Sequence, residues 1–197
     1  MIKSPYHDIL QQSSPDELFA GRVWYQSAYA QAKLIAERNN LTVPAVCGII
    51  AVLSPRTPWY QNLLDAEEVA RKGKRALVTS FTPNLAKACK IKSGSSPEDV
   101  LGGYKVISFY ENLVTAGEVD NPCIDSWMIR AYDRQADDRQ CQKVFQAKRR
   151  YIALQDAVRR TADDAGMLPG HAQAAIWVTF KRMSQDRYAH LQADLPY

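Results

Sequence analysis

No run of this chain approaches the roughly 18 consecutive apolar residues that a membrane-spanning helix needs, so a span across a bilayer is not expected. The opening residues, MIKSPYHDILQQSS, lack a long apolar core and a small-residue cleavage site, which argues against a secretory signal. Cysteine is sparse: Cys47, Cys89, Cys123 and Cys141 stand far apart, with no C-x-x-C pair. That pattern suits neither a disulfide framework nor a clustered zinc site, and the four thiols are expected to be buried and incidental. Asn-Gly and Asp-Gly turns are missing, Val and Ile do not alternate with polar residues, and no internal repeat or low-complexity tract is present. A strand-rich architecture is therefore excluded. The expected location is the cytoplasm.

Punctuation typical of helices is abundant instead. Ser14-Pro15-Asp16-Glu17 reads as an N-cap, a proline at the first helical position and acids in the first turn. A long helix is expected to follow to Asn39, with Phe19, Val23, Trp24, Ala28, Leu34 and Ile35 at mostly three-to-four spacing. Residues 42–53 form a second helix, apolar nearly all round and hence buried. Further helices are expected over 58–73, 82–94, 97–101, 104–115, 124–134, 138–165 and 170–186, separated by Pro and Gly signals such as Ser96-Pro97 and Gly102-Gly103. The fold class is all-α. Helical spacing puts Trp24, Tyr25, Trp177 and Tyr188 in the core. The first dozen residues and Ala189–Tyr197 are expected to be disordered or to pack on a partner.

The net charge of +4 is mild, but its distribution is uneven. Between residues 71 and 105, eight basic side chains (Arg71, Lys72, Lys74, Arg75, Lys87, Lys90, Lys92, Lys105) face only Glu98 and Asp99. Such a stretch is either a solvated helical surface or a phosphate-facing edge.

Three constellations carry chemistry. In Leu53-Ser54-Pro55-Arg56-Thr57-Pro58-Trp59-Tyr60-Gln61-Asn62, a buried helix ends and polar and aromatic groups crowd its exit. Ser54, Thr57 and Asn62 can serve as caps, while Arg56, Trp59 and Tyr60 suit wedging into a base stack or stacking on an extruded base. In Leu101-Gly102-Gly103-Tyr104-Lys105, two glycines permit unusual backbone angles and close approach, and amides at the next helix start can bind phosphate beside Lys105. The alternative is a plain helix end followed by a solvated lysine. In Ile124-Asp125-Ser126-Trp127-Met128-Ile129-Arg130, Asp125 is either an N-cap or a carboxylate poised as general base or cation stabiliser.

In order and spacing, Val46 to Arg130 resembles the helix-hairpin-helix DNA glycosylase superfamily, of which endonuclease III is the best-known member. Leu53-Ser54-Pro55-Arg56-Thr57 followed by Asn62 is similar to its L-S-x-Q-T segment and N-x-x-A helix. Leu85-Ala86-Lys87-Ala88 looks like its K-A-rich helix, and Pro97-Glu98-Asp99 with Leu101 to Lys105 like its P-E-D helix and L-P-G-V-G-x-K hairpin. Ile124 to Arg130 resembles V-D-T-H-V-x-R, and Ala175-Ile176-Trp177 the closing helix. The chain also resembles small glycosylase-like proteins carried by bacteriophages, which implies the cytoplasm of a bacterial host. Its hairpin is shorter than the family's, Trp127 replaces a histidine, and no cysteine follows Cys141 to hold an iron–sulfur cluster.

The resemblance implies one compact domain of two helical lobes over residues 1–197, a central lobe over 43–122 with the hairpin and a second from 13–42 plus 123–186. Double-stranded DNA would be the partner, its hairpin-bound phosphate held near Lys87, Gly102, Gly103, Tyr104 and Lys105. A flipped base would meet Arg56, Thr57, Trp59, Tyr60, Asn62 and Trp127. Asp125 would stabilise the sugar oxocarbenium ion or activate the nucleophile, and Lys105 would be the candidate amine that forms a Schiff base. No cofactor and no metal is implied. Two other readings stay open: a transferase that displaces phosphate from phosphorylated 5-hydroxymethyluracil in hypermodified DNA with an amine or amino acid as co-substrate, and a catalytically silent binding module that keeps only the fold.

Overall fold

The computed structural model describes residues 4–193, with side chains to residue 185. The Tyr188 side chain and residues 194–197, both given expected roles above, lie outside that description, while residues 189–193, expected to be disordered or to pack on a partner, continue the last helix. Among the described residues every regular element is helical and no strand occurs. None of the helices is long and apolar enough to cross a membrane. In order they are α1 (Pro5–Gln11), α2 (Pro15–Asn39), α3 (Val43–Leu53), α4 (Trp59–Lys72), a 3-10 turn (Gly73–Arg75), α5 (Thr82–Lys92), α6 (Pro97–Val100), α7 (Tyr104–Val114), α8 (Ser126–Tyr132), α9 (Asp138–Gln146), α10 (Lys148–Asp164) and α11 (Pro169–Ala193). They form two units. One holds the described residues up to Trp24 and those from Asp120 onward, and the other holds Tyr25–Val119. The change of unit falls inside α2, whereas the sequence suggests one near residues 42–43.

The Tyr25–Val119 unit is built around α3. Its residues Val46 to Leu53 are all buried, as an all-round apolar helix requires, and α4, α5 and α7 pack on it. Gly48 lets α6 close in: a Cβ there would stand 2.8 Å from Pro97 Cβ.

In the other unit, α8, α10 and α1 pack on α11. The start of α2 is a capping box. Ser14 N–H donates to Glu17 Oε2 at 2.8 Å, and Glu17 N–H donates to Ser14 Oγ at 3.2 Å. Arg182 of α11 then donates through Nε to Glu17 Oε1 at 2.7 Å. The bond from Arg182, above all, holds the Glu17 carboxyl below its ordinary range. A carboxyl lowered on folding stabilises the fold above the unfolded value, about 4.3, and the benefit vanishes as pH falls through the lower folded value. Thermal midpoints of wild type and Glu17→Gln will differ most near neutral pH, and the gap will close as pH falls below the unfolded carboxyl range and through the lowered folded value. A gap independent of pH would show that this carboxylate contributes nothing through its charge.

Two elements depart from the sequence reading. Residues 5–11 form a helix rather than a loose end: Ser4 is extended, Pro5 starts the helix, and Tyr6, Ile9 and Leu10 are buried. The expected helix over 138–165 is broken at Ala147, whose φ of −110° and ψ of 99° are extended. Tertiary bonding outweighs continuity here. Asp137 and Gln140 make a capping box for α9, and past the break Tyr151 turns inward so that Ile124 N–H donates to its hydroxyl at 2.9 Å. All four cysteines are buried and free. Burial pushes the Cys47 thiol up to about 12 and raises Cys89 and Cys141 as well, which suppresses thiolate chemistry at all three.

Candidate functional site

In the Tyr25–Val119 unit, the residues after α3 first serve its unpaired carbonyls. Ser54 Oγ donates to Ala51 O at 2.8 Å, Thr57 Oγ1 donates to Leu53 O at 3.0 Å, and Asn62 Nδ2 donates to Ile50 O at 3.1 Å. Thr57 and Asn62 thus have structural work. Between them Arg56 is exposed and takes a left-handed φ of 62°, a conformation costing a non-glycine residue roughly 1–2 kcal/mol. The tight Ser54–Thr57 turn, closed by Thr57 N–H on Ser54 O at 3.2 Å, imposes it and presents the guanidinium to solvent. Tyr60 is 74% exposed, while Trp59 is half-buried.

The first two constellations meet. Lys105, in the first turn of α7, donates through Nζ to Ser54 Oγ at 2.5 Å, and its ammonium lies 5.0 Å from the centroid of the Phe109 ring. Gly103 caps α7 with a φ of 85°, which favours glycine. Gly102 is exposed, and a Cβ added there would lie 3.9 Å from Lys87 Nζ. Hairpin backbone, Lys87, Lys105 and the α3 exit therefore share one corner of this unit, with Tyr104 half-buried beside Gly103.

Of the basic stretch, Arg71 and Lys72 fold back onto Glu68, at 2.7 and 2.6 Å. Glu68 is held below its ordinary range by these bonds, the one from Lys72 foremost. Lys74, Arg75 and Lys90 stay exposed. Beside them, sequence reasoning missed a feature with no motif. Leu77 and Phe81 are 86% and 52% exposed on a loop that a buried carboxylate clamps from below. Asp65 accepts Thr79 N–H at 2.9 Å, Thr79 Oγ1–H at 2.7 Å and Gln61 Nε2–H at 2.7 Å.

In the other unit, Asp125 is the N-cap of α8. Its Oδ1 accepts Met128 N–H at 2.8 Å, and its Oδ2 accepts the indole Nε1–H of Trp177 at 3.0 Å. Trp177, expected as core, is half-buried and stacks edge-on with Trp24 at 6.2 Å. Lys181, one turn further along α11, sits 4.2 Å above the Trp177 ring and 5.7 Å from that of Trp127, which meets Phe180 at 6.3 Å. From the other side, Tyr6 of α1 donates its hydroxyl to Met128 O at 2.9 Å. Burial and then the Asp125 charge push the Tyr6 phenol well above its ordinary range, so it stays a neutral brace. Arg130 anchors the following loop, donating to Ala136 O at 3.3 Å and to Asp138 at 2.5 Å.

Lys105 and Asp125 thus belong to different units, each with its own surroundings. Trp177 and Tyr6 come to Asp125 from helices far apart in sequence, Lys181 lies over the Trp177 ring, and only the four-residue step from Trp177 to Lys181 on α11 carries a sequence signal. Among the described residues no group of three or more His, Cys, Asp or Glu side chains is placed to hold a metal ion.

The model of a family of unknown function, DUF7178, matches the chain over residues 4–184. No curated protein and no solved structure matches it.

Proposed function

This chain belongs to the DUF7178 family, and we propose that it acts on bases in duplex DNA as a glycosylase-like enzyme, flipping out a modified base and hydrolysing its N-glycosidic bond. The observation that carries the reading is the second hydrogen bond on Asp125. A capping aspartate needs one oxygen, and Met128 N–H takes it; the other oxygen is fixed by the indole of Trp177, 52 residues away. A carboxylate offers about four acceptor sites, so two donors orient the group and leave it able to stabilise a developing sugar cation. A preset carboxylate costs no reorganisation when charge appears. In the Tyr25–Val119 unit, exposed Arg56 and Tyr60, the glycines beside Lys87, and the clamped Leu77 and Phe81 among Lys74 and Arg75 suit a backbone-gripping surface with apolar side chains to unstack base steps. Lys105 remains the candidate amine for a lyase step.

The bond to Met128 also favours a second reading, in which Asp125 is only a cap and the protein a silent binding module. Mass spectrometry of nucleosides and free bases separates the readings. Duplex DNA bearing uracil, 5-hydroxymethyluracil or its phosphorylated form is incubated with wild type or Asp125→Asn, with and without amino acids. Free base released by wild type is expected, with a loss of about 10²-fold or more in Asp125→Asn, because Asn keeps the cap through its one oxygen but loses both the charge and the acceptor for Trp177 Nε1–H. A heavier nucleoside formed only with amino acid present would establish the transferase instead. Intact DNA in every arm would leave the silent module.

A further inference from the structure

The proposal for Asp125 leaves the negative half of the reaction unassigned. When the C1′–N bond breaks, positive charge grows on the sugar and the bonding pair passes to the base. Trp177 links groups of opposite sign: its Nε1–H holds the Asp125 carboxylate at 3.0 Å, and its ring face carries the Lys181 ammonium at 4.2 Å. Trp127, two residues after Asp125, takes the same ammonium at 5.7 Å. Carboxylate and ammonium make no ion pair with one another among the described residues. Each is held instead by the same indole, the carboxylate at its ring nitrogen and the ammonium on its face. Two charges of opposite sign held apart on an aromatic support match a bond that breaks into a cation and an anion.

We propose that Lys181 is a further functional residue of the Asp125 site, stabilising the negative charge on the departing heteroaromatic base, and that Trp177 is the positioning residue that sets both groups. This inference rests on the glycosylase reading above. In the step, the C1′–N electron pair goes to the base nitrogen, water adds its oxygen to C1′, and the proton released by that water ends on the base. Lys181 transfers no proton and lowers the cost of the negative charge. The cation over the rings is itself steadied by their quadrupoles.

The test compares two leaving groups, uracil and the more acidic 5-fluorouracil, in the same duplex. A poor leaving group depends more on an external cation. Lys181→Met is expected to slow uracil release roughly 10²-fold and 5-fluorouracil release about ten-fold less severely, with Lys181→Arg recovering part of the loss. Trp177→Phe keeps the ring but loses Nε1–H, and is expected to lower kcat on both bases by the same factor, with KM unchanged. Folding of each variant is verified by circular dichroism. Lys181→Met slowing both bases equally, or neither, would overturn the role of Lys181 while leaving the glycosylase reading intact. Absence of base release by wild type would overturn that reading itself, and this inference with it.

Discussion

Gly21→Val will lower the thermal midpoint by roughly 6–12 °C, the largest effect expected from any single added side chain in the unit that holds Asp125. A Cβ on Gly21 would stand 2.5 Å from both the Cβ and the amide nitrogen of Ala175, and 2.6 Å from its Cα. The obstacle is backbone, so no rotamer change relieves it and α2 and α11 must separate. Overpacking of this kind costs typically 1–3 kcal/mol, while replacing a helical glycine gains at most about 1 kcal/mol of propensity; with the bulk and branching of valine the net penalty is about 3 kcal/mol. Each kcal/mol shifts a domain of this size by about 2–4 °C. Trp24 follows Gly21 by three residues on α2, and Trp177 follows Ala175 by two on α11, so separation also loosens the Trp24–Trp177 contact and with it the indole that holds Asp125. Near-ultraviolet circular dichroism of the tryptophans will weaken along with the midpoint. Gly94→Ala is the control: nothing lies within 4 Å of the added Cβ, and only its φ of 103° is strained. Equal midpoints for wild type and Gly21→Val would refute the account.

Much of this architecture is legible in the amino-acid sequence. The all-α class follows from punctuation, and Ser14-Pro15-Asp16-Glu17 marks the start of α2 to the residue because a capping box is a local device. Buried α3 is read from its apolar run, and Asp125 as an N-cap from its place before an apolar helix. What escapes is non-local. Nothing near Ala147 says that α9 and α10 must part, because the reason is Tyr151 reaching Ile124. Pro5 to Gln11 is too short to stand alone as a helix and is ordered by burying Tyr6, Ile9 and Leu10.

The candidate site divides the same way. Motif order singles out Ser54, Arg56, Gly103, Lys105 and Asp125, and it is the structure that joins Ser54 to Lys105. Trp177 illustrates the limit. Its helical spacing suggests core, and half of that is right, since one edge packs on Trp24 while the indole nitrogen faces Asp125. Periodicity assigns a side chain to a face, not its polar tip to a partner. Leu77 and Phe81 are invisible to pattern reasoning for the opposite reason: apolar residues in a loop carry no period, and their exposure is a tertiary outcome.

Asp65 determines that outcome, and Asp65→Ala is expected to cost about 3 kcal/mol. The carboxylate is 2% exposed and accepts three hydrogen bonds, two from Thr79 and one from Gln61. Bonds to a charged acceptor contribute about 1.5–3 kcal/mol each, and truncation leaves their donors to find water or go unpaired. Asn is a poor substitute although nearly isosteric, because its amide nitrogen would face a donor with another donor; a loss of about 2 kcal/mol is expected. The two variants also report on function. Hydrogen exchange in residues 76–81 will rise above the change in the α3 amides, since the clamp holds the loop more than the core. Duplex affinity will fall about ten-fold if Leu77 and Phe81 must be held ready, because the ordering cost then falls on the binding step. The slope of log affinity against log salt will stay as in wild type, since no phosphate-facing cation has been removed. A loosened loop with unchanged affinity would take Leu77 and Phe81 out of the proposed DNA-binding surface. A reduced slope would mean instead that releasing the loop displaces Lys74 and Arg75, making the loop a carrier of charge rather than of wedging side chains.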